Sequence, residues 1–224
     1  MYNLYIPLCG FILSLILLVL YSVKVSKLNQ ENKFYFLMIL DVFFMCLFCI
    51  LAIYLLYLKT DNIWLVKISN KVECFAIFNF FVNLLMYIIS VCNLKNKRIN
   101  YIYNFSIFAM FIIVFFFTNI SLQVTDDLTY MVSVGSTVTL TIVMAGILLL
   151  CSFFLAIKNT KKLKEKMIPI ILLLLFIVLV VIIRGIKPEF VCLEFLATIA
   201  TLIMYHTIEN PDMKLLEELH RSKE

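Results

Sequence analysis

Four ionisable side chains interrupt the long apolar stretches of this chain: Asp41, Glu73, Arg184 and Glu194. Such a group is costly inside a membrane, so it usually faces the protein interior, has a partner and marks a functional site. Arg184 and Glu194 flank a short turn, and their spacing predicts an ion pair between the last two apolar runs, with Glu73 as a competing partner. Two interpretations stay open for these three residues. They form a structural ion pair, or they form a polar pocket that meets a ligand or an ion.

Asp41 and two asparagines are the other polar candidates at membrane depth. Asp41 lies about two turns into the second apolar run, and no second acid lies at its depth. This position favours a hydrogen-bonded residue of helix packing over a proton relay. Asn79 and Asn83 are one turn apart on the third run, and we expect them to bond a neighbouring helix.

Residue patterns of known catalytic chemistry are not found in the sequence. Cys46 and Cys49 form a C-x-x-C pair, but they lie in the middle of an apolar run, where cysteine usually packs as a small hydrophobe. His206 and His220 are not at metal-ligand spacing, and there is no phosphate-binding loop or nucleophile elbow. We therefore expect no catalytic residue, no metal site and no cofactor.

The elements that carry these residues are membrane helices. Hydrophobic residues make up 64% of the 224-residue chain and charged residues 15%, with a mean hydropathy of +1.05. About 20 apolar residues cross a bilayer as a helix. The sequence thus predicts an all-α, polytopic bundle of seven transmembrane helices with a short cytoplasmic C-terminal helix. The seven runs are Tyr5–Val23, Phe34–Leu58, Val72–Cys92, Tyr101–Leu122, Val134–Ile157, Ile168–Arg184 and Phe190–Thr207.

Basic residues are distributed unevenly between the two sets of loops. With seven spans and the N-terminus outside, the cytoplasmic segments hold 14 of the 19 Lys and Arg residues. The positive-inside rule favours this orientation, with the C-terminus in the cytoplasm. The net charge of +5 then lies at the lipid surface, and we expect the bilayer rather than nucleic acid as partner.

A helix-start signal follows the last apolar run. The residues Glu209, Asn210, Pro211 and Asp212 combine a capping asparagine, a proline suited to the first helical position and an acid at the positive end of the helix dipole. Leu215, Leu216 and Leu219 then form a short apolar strip. The strip predicts either the start of a two-helix stalk or a helix that lies on the membrane surface.

The stretch from Tyr205 to Leu219, which contains Thr-Ile-Glu-Asn-Pro-Asp at 207–212, resembles the junction in bacterial membrane-bound sensor histidine kinases. The resemblance implies a membrane sensor domain over residues 1–208 and the start of a signal-transfer helix over 209–224. It also implies a bacterial plasma membrane location and a homodimer formed through the C-terminal helix. A cytoplasmic response regulator would be a partner only through a kinase core that this chain lacks.

The sequence departs from that family in one respect that bears on activity. The phosphoacceptor pattern, a His followed by Glu and four residues later by Pro, does not occur. The chain as given is therefore expected to be a sensor and signal-transfer module rather than an enzyme. The alternative is a small standalone transporter or membrane-embedded enzyme. An outer loop of about ten residues, 123–133, favours a small or bilayer-borne stimulus over a large ligand.

Overall fold

The computed structural model describes residues 2–24, 30–58, 63–94, 96–124, 131–163 and 193–206, with isolated positions between 170 and 182. Within these ranges the chain is helical apart from one short β-hairpin. A π-helical turn, Ile113–Phe117, extends the fourth helix. The elements in chain order are α1 Tyr2–Lys24, α2 Gln30–Tyr57, α3 Ile63–Val91, α4 Lys97–Ile112, β1 Ser121–Val124, β2 Met131–Val134, α5 Ser136–Lys158, α6 Thr160–Leu163 and α7 Leu193–Met204.

Five of these helices, α1 to α5, are long and apolar enough to cross a membrane. This finding confirms a helical, membrane-type architecture. The sixth predicted run, 168–184, lies largely outside the described residues. The seventh is represented by α7, an apolar helix of 12 residues.

The central helix of the bundle is α3, which packs against α2 on one side and α5 on another. It is the most buried of the five long helices, whereas α4 turns most of its surface outwards. Large apolar side chains such as Phe105, Phe116 and Phe117 are exposed on α4 and its π-helical turn. In a bilayer such a surface faces lipid, which is as apolar as these side chains. The short helix α7 packs against α1 and α2.

The helix boundaries differ most from the predicted runs at the start of the third run and at the end of the fourth. Helix α3 begins at Ile63, nine residues before the predicted start at Val72. Charged residues such as Lys71 do not end it, because the Lys71 ammonium reaches the carbonyl oxygens of Phe115 (3.2 Å) and Thr118 (2.7 Å). The fourth run also ends earlier than predicted, at Phe117.

The described residues of the predicted outer loop, 123–124 and 131–133, lie in two paired strands, and its remaining residues lie outside the described part of the chain. Strands β1 and β2 pair antiparallel, from Ser121 opposite Val134 to Val124 opposite Met131. The Ser133 hydroxyl donates to the Asn70 side-chain oxygen at 2.7 Å, which ties the hairpin to α3. Gly135, with φ of 135°, then joins β2 to α5 in a conformation that favours glycine. We refer to this side of the bundle as the hairpin end.

Helices α1, α2 and α7 meet at Gly10. A β-carbon at this position would lie 3.0 Å from the Cys46 sulfur and 3.4 Å from both the Phe195 α-carbon and the Thr198 hydroxyl oxygen. Small residues let transmembrane helices approach in this way. Ser14, one turn later, is also buried and donates its hydroxyl to the Phe11 carbonyl at 2.8 Å. The pair Gly10 and Ser14 therefore forms the small face of α1.

Four buried tyrosines cluster at the end of the bundle opposite the hairpin: Tyr21, Tyr35, Tyr87 and Tyr205. The Tyr21 ring lies 5.1 Å from that of Tyr35 and 6.4 Å from that of Tyr205. The Tyr35 hydroxyl donates to the Thr201 carbonyl of α7 at 2.6 Å. This tyrosine cluster joins the final turn of α7 to α1, α2 and α3.

Candidate functional site

Three side chains from three helices converge inside the bundle: Cys49 of α2, Glu73 of α3 and Glu194 of α7. The Cys49 sulfur and one carboxylate oxygen from each glutamate all lie within 4.8 Å of one another. Cys49 and Glu194 are buried, with 2% and 3% of their surfaces exposed, and Glu73 is half-buried. We call this group the Cys-Glu cluster. Its donor atoms are of the types that hold metal ions.

The surroundings of the Cys-Glu cluster are polar on the α7 side. One turn along from Glu194, Thr198 is fully buried and donates its hydroxyl to the Glu194 carbonyl at 2.7 Å. The Cys46 sulfur lies 3.8 Å from the same hydroxyl and interacts electrostatically with both glutamates. Cys46 and Cys49 are three residues apart on α2, so both thiols of the C-x-x-C pair face the bundle interior.

A second polar group lies farther from the hairpin end. The Asn83 side-chain nitrogen donates to an Asp41 carboxylate oxygen at 2.6 Å, and the Tyr103 hydroxyl donates to the Asn83 side-chain oxygen at 2.8 Å. The chain Asp41–Asn83–Tyr103 thus links α2, α3 and α4. Both hydrogen-bonding functions of the Asn83 amide are used, so this side chain bonds two neighbouring helices. The preference for helix packing over a proton relay at Asp41 stays a prediction.

The two polar groups lie at different depths. On α2, Asp41 and Cys49 are eight residues apart, a rise of about 12 Å. On α3, Glu73 and Asn83 are ten residues apart, a rise of about 15 Å. The three acids Asp41, Glu73 and Glu194 therefore form two layers rather than one site.

The remaining predicted site residues are Asn79, Arg184 and the four junction residues. Asn79 lies one turn from Asn83, and its buried side-chain oxygen has no hydrogen-bond partner in the described part of the chain. Arg184 and the junction residues Glu209, Asn210, Pro211 and Asp212 lie outside the described residues, as does the domain boundary at 208. The predicted pairing of Arg184 with Glu194 stays a prediction.

The sequence did not point to Cys49 as a site residue. Its C-x-x-C spacing was interpreted as packing, because nothing in the sequence places it beside residues 24 and 145 positions further along. The signal that existed was the motif itself, which brings both thiols to one helix face. Gly10 and Ser14 were also missed, although Gly-x-x-x-Ser is a small-residue pattern of close helix packing.

The chain was compared with protein families, curated proteins and solved structures. No protein-family profile, no curated protein and no solved structure matches the chain.

Proposed function

We propose that this chain is the membrane sensor and signal-transfer module of a sensor histidine kinase. In this proposal seven spans cross the bacterial plasma membrane, with the N-terminus outside. The last span passes a signal from within the bundle to the cytoplasmic helix that begins at the Glu-Asn-Pro-Asp junction, and a separate kinase core performs the phosphoryl transfer.

The observation that carries this proposal is the packing of α7. Apart from Met204, its buried face consists of small and polar residues. Glu194 of the Cys-Glu cluster lies near one end of the helix, and Tyr205 of the tyrosine cluster lies just beyond the other. Packed helix interfaces can be bistable, and a bistable interface converts small shifts into switches. The chain continues from this helix directly into the junction motif at 207–212.

A chimera tests the proposed function. We expect residues 1–224, fused in frame to a heterologous histidine kinase core, to control its autophosphorylation. Insertions of one to seven residues after Glu218 should give activity that oscillates with a period of about 3.6 residues, because each inserted residue rotates the downstream helix by about 100°. Activity that does not depend on insertion length would show that the helix is only a tether.

The same chimera tests the tyrosine cluster. Tyr35→Phe removes the hydroxyl that donates to the Thr201 carbonyl and keeps the ring. We expect it to change basal phosphorylation while the helix content stays the same. Tyr101→Phe is the matched control, since Tyr101 is 75% exposed on α4. Equal effects of the two substitutions would contradict a role for the Tyr35 contact.

The proposed orientation has a direct test. We expect Ser121→Cys, at the hairpin, to react with a membrane-impermeant maleimide on intact cells. Asn96→Cys, in the exposed segment before α4, should react only after permeabilisation. The parent chain supplies the background from its own cysteines. Reversed labelling would place the C-terminus outside and contradict the sensor proposal.

A transporter is the second candidate, and the two polar layers favour it. Acids at two depths of a helical bundle are a feature of ion and proton pathways. Uptake of an ion into proteoliposomes by the purified chain, lost in Asp41→Asn, would support this function. A chimera that shows length-dependent kinase activity, with no ion uptake, would support the sensor instead.

A further inference from the structure

We infer that the Cys-Glu cluster is a binding site for one divalent transition-metal cation of the Zn²⁺ type. The role of this cation as the stimulus of the module rests on the proposed function, whereas the binding of the cation does not. The site would use the thiolate of Cys49 and the carboxylates of Glu73 and Glu194. Cys46 is the neighbouring thiol on the same face of α2.

The donor geometry supports this inference. Zn²⁺ binds sulfur at about 2.3 Å and carboxylate oxygen at about 2.0–2.2 Å, so donors on one tetrahedral ion lie about 3–4 Å apart. The three donor atoms here already lie within 4.8 Å of one another without an ion. Rotamer adjustments of a few tenths of an ångström to one ångström would close the site. The backbones of α2, α3 and α7 do not need to move for a first contact.

The chemistry of the donors selects the class of cation. Mg²⁺ and Ca²⁺ prefer sites made entirely of oxygen donors. A thiolate beside carboxylates favours borderline metals such as Zn²⁺ and Co²⁺. Burial adds to this preference, since acidic groups brought together in a low-dielectric interior stabilise a positive occupant strongly. Packing alone does not require the C-x-x-C pair to face two glutamates. A bound cation would give this arrangement a chemical role.

The position of the site gives the cation a mechanical consequence. Glu194 is on α7, while Cys49 and Glu73 are on α2 and α3, so one ion would fix α7 to two other helices. The fixed point lies about one turn from the close contact at Gly10, Cys46 and Thr198. It is on the same helix whose far end is held by Tyr35. A bound cation would thus bias the position of the helix that leads to the junction.

Cobalt(II) provides a test of the binding step. We expect the full chain, purified in detergent, to bind one Co²⁺ with a thiolate-to-cobalt charge-transfer band, and Zn²⁺ to displace it. Cys49→Ser should remove the band, and Glu73→Gln or Glu194→Gln should each weaken binding by at least about tenfold. Cys92→Ser, at another buried cysteine, should keep the band. Because the wild-type spectrum is the first readout, a variant that fails to fold does not decide the test.

Two results would overturn the inference: the wild-type chain gives no charge-transfer band, or the band survives Cys49→Ser. If the band is absent from the wild type and forms in Arg184→Ala, the positive occupant is that side chain rather than a metal. The role as stimulus has its own test in the kinase chimera. There, Zn²⁺ should change phosphorylation in the wild type and not in Cys49→Ser. Binding without a change in phosphorylation would overturn that role and leave the length dependence of the chimera unaffected.

Discussion

Asn83→Ala should lower the free energy of unfolding in detergent by about 2 kcal/mol, since it leaves an Asp41 carboxylate oxygen and the Tyr103 hydroxyl without their bonds to the amide. A polar group that loses its partner in a bundle interior costs more than the bond contributed. Asp41 and Tyr103 are only half-buried. We therefore expect a loss at the lower end of the range for two polar groups that lose a hydrogen-bond partner. The measurement is reversible unfolding followed by circular dichroism.

Asn79→Ala is the matched control for that experiment. It removes the same side chain one turn away on α3, where the buried amide oxygen has no hydrogen bond in the described part of the chain. We expect its unfolding free energy to stay within about 0.5 kcal/mol of the wild type. Tyr103→Phe should give a loss between the two, because it removes only one of the bonds. Equal losses for Asn83→Ala and Asn79→Ala would mean that the Asp41–Asn83–Tyr103 chain does not contribute to stability.

Gly10→Leu should destabilise the bundle by about 3 kcal/mol, because a large side chain cannot enter a packed contact without moving it. Already the β-carbon would press on the Cys46 sulfur at 3.0 Å and on the backbone of α7 at Phe195. We expect a lower melting temperature, and weaker Co²⁺ binding if α7 is displaced from α2. Gly10→Ala should have a smaller effect in the same direction.

Gly146→Leu provides the comparison, since no atom of the described residues lies within 4 Å of a β-carbon at that position of α5. The substitution adds the same atoms and improves helix propensity by up to about 1 kcal/mol. We therefore expect a neutral or slightly stabilising effect. A loss at Gly146 as large as that at Gly10 would show that α5 has a packed partner at this face.

The membrane helices were predictable because their signal is local. Runs of apolar residues long enough to cross a bilayer occur only where the chain crosses it or is deeply buried, and each run can be identified without its neighbours. Helix ends were less predictable. Lys71 resembles a loop residue in the sequence, but in the structure its acceptors are the carbonyl oxygens of Phe115, in the π-helical turn, and of Thr118, just after it. Partners 44 and 47 residues away leave no trace in the local pattern.

The candidate site was predictable only in part, for the same physical reason. Asp41, Glu73 and Glu194 could be identified from the sequence alone, because an acid within an apolar run is costly to bury. Which of them meet depends on how helices pack, and that depends on shape. Glu73 therefore joined Glu194 and Cys49, while Asp41 joined Asn83 at another depth. The role of Gly10 could be identified only from the structure. The lack of a side chain matters for packing only where other helices approach closely, and the sequence does not show which helices approach.

Two consecutive residues of α3 contact the hairpin and the segment that leads into it. The Ser133 hydroxyl of β2 donates to the Asn70 side chain, and the Lys71 ammonium donates to the carbonyl oxygens of Phe115, in the π-helical turn, and of Thr118. Glu73 is two residues further along, a rise of about 3 Å on a rigid helix. We therefore expect a displacement of the hairpin to be transmitted through the Ser133–Asn70 bond to α3, and to reach Glu73 of the Cys-Glu cluster within a single helical turn.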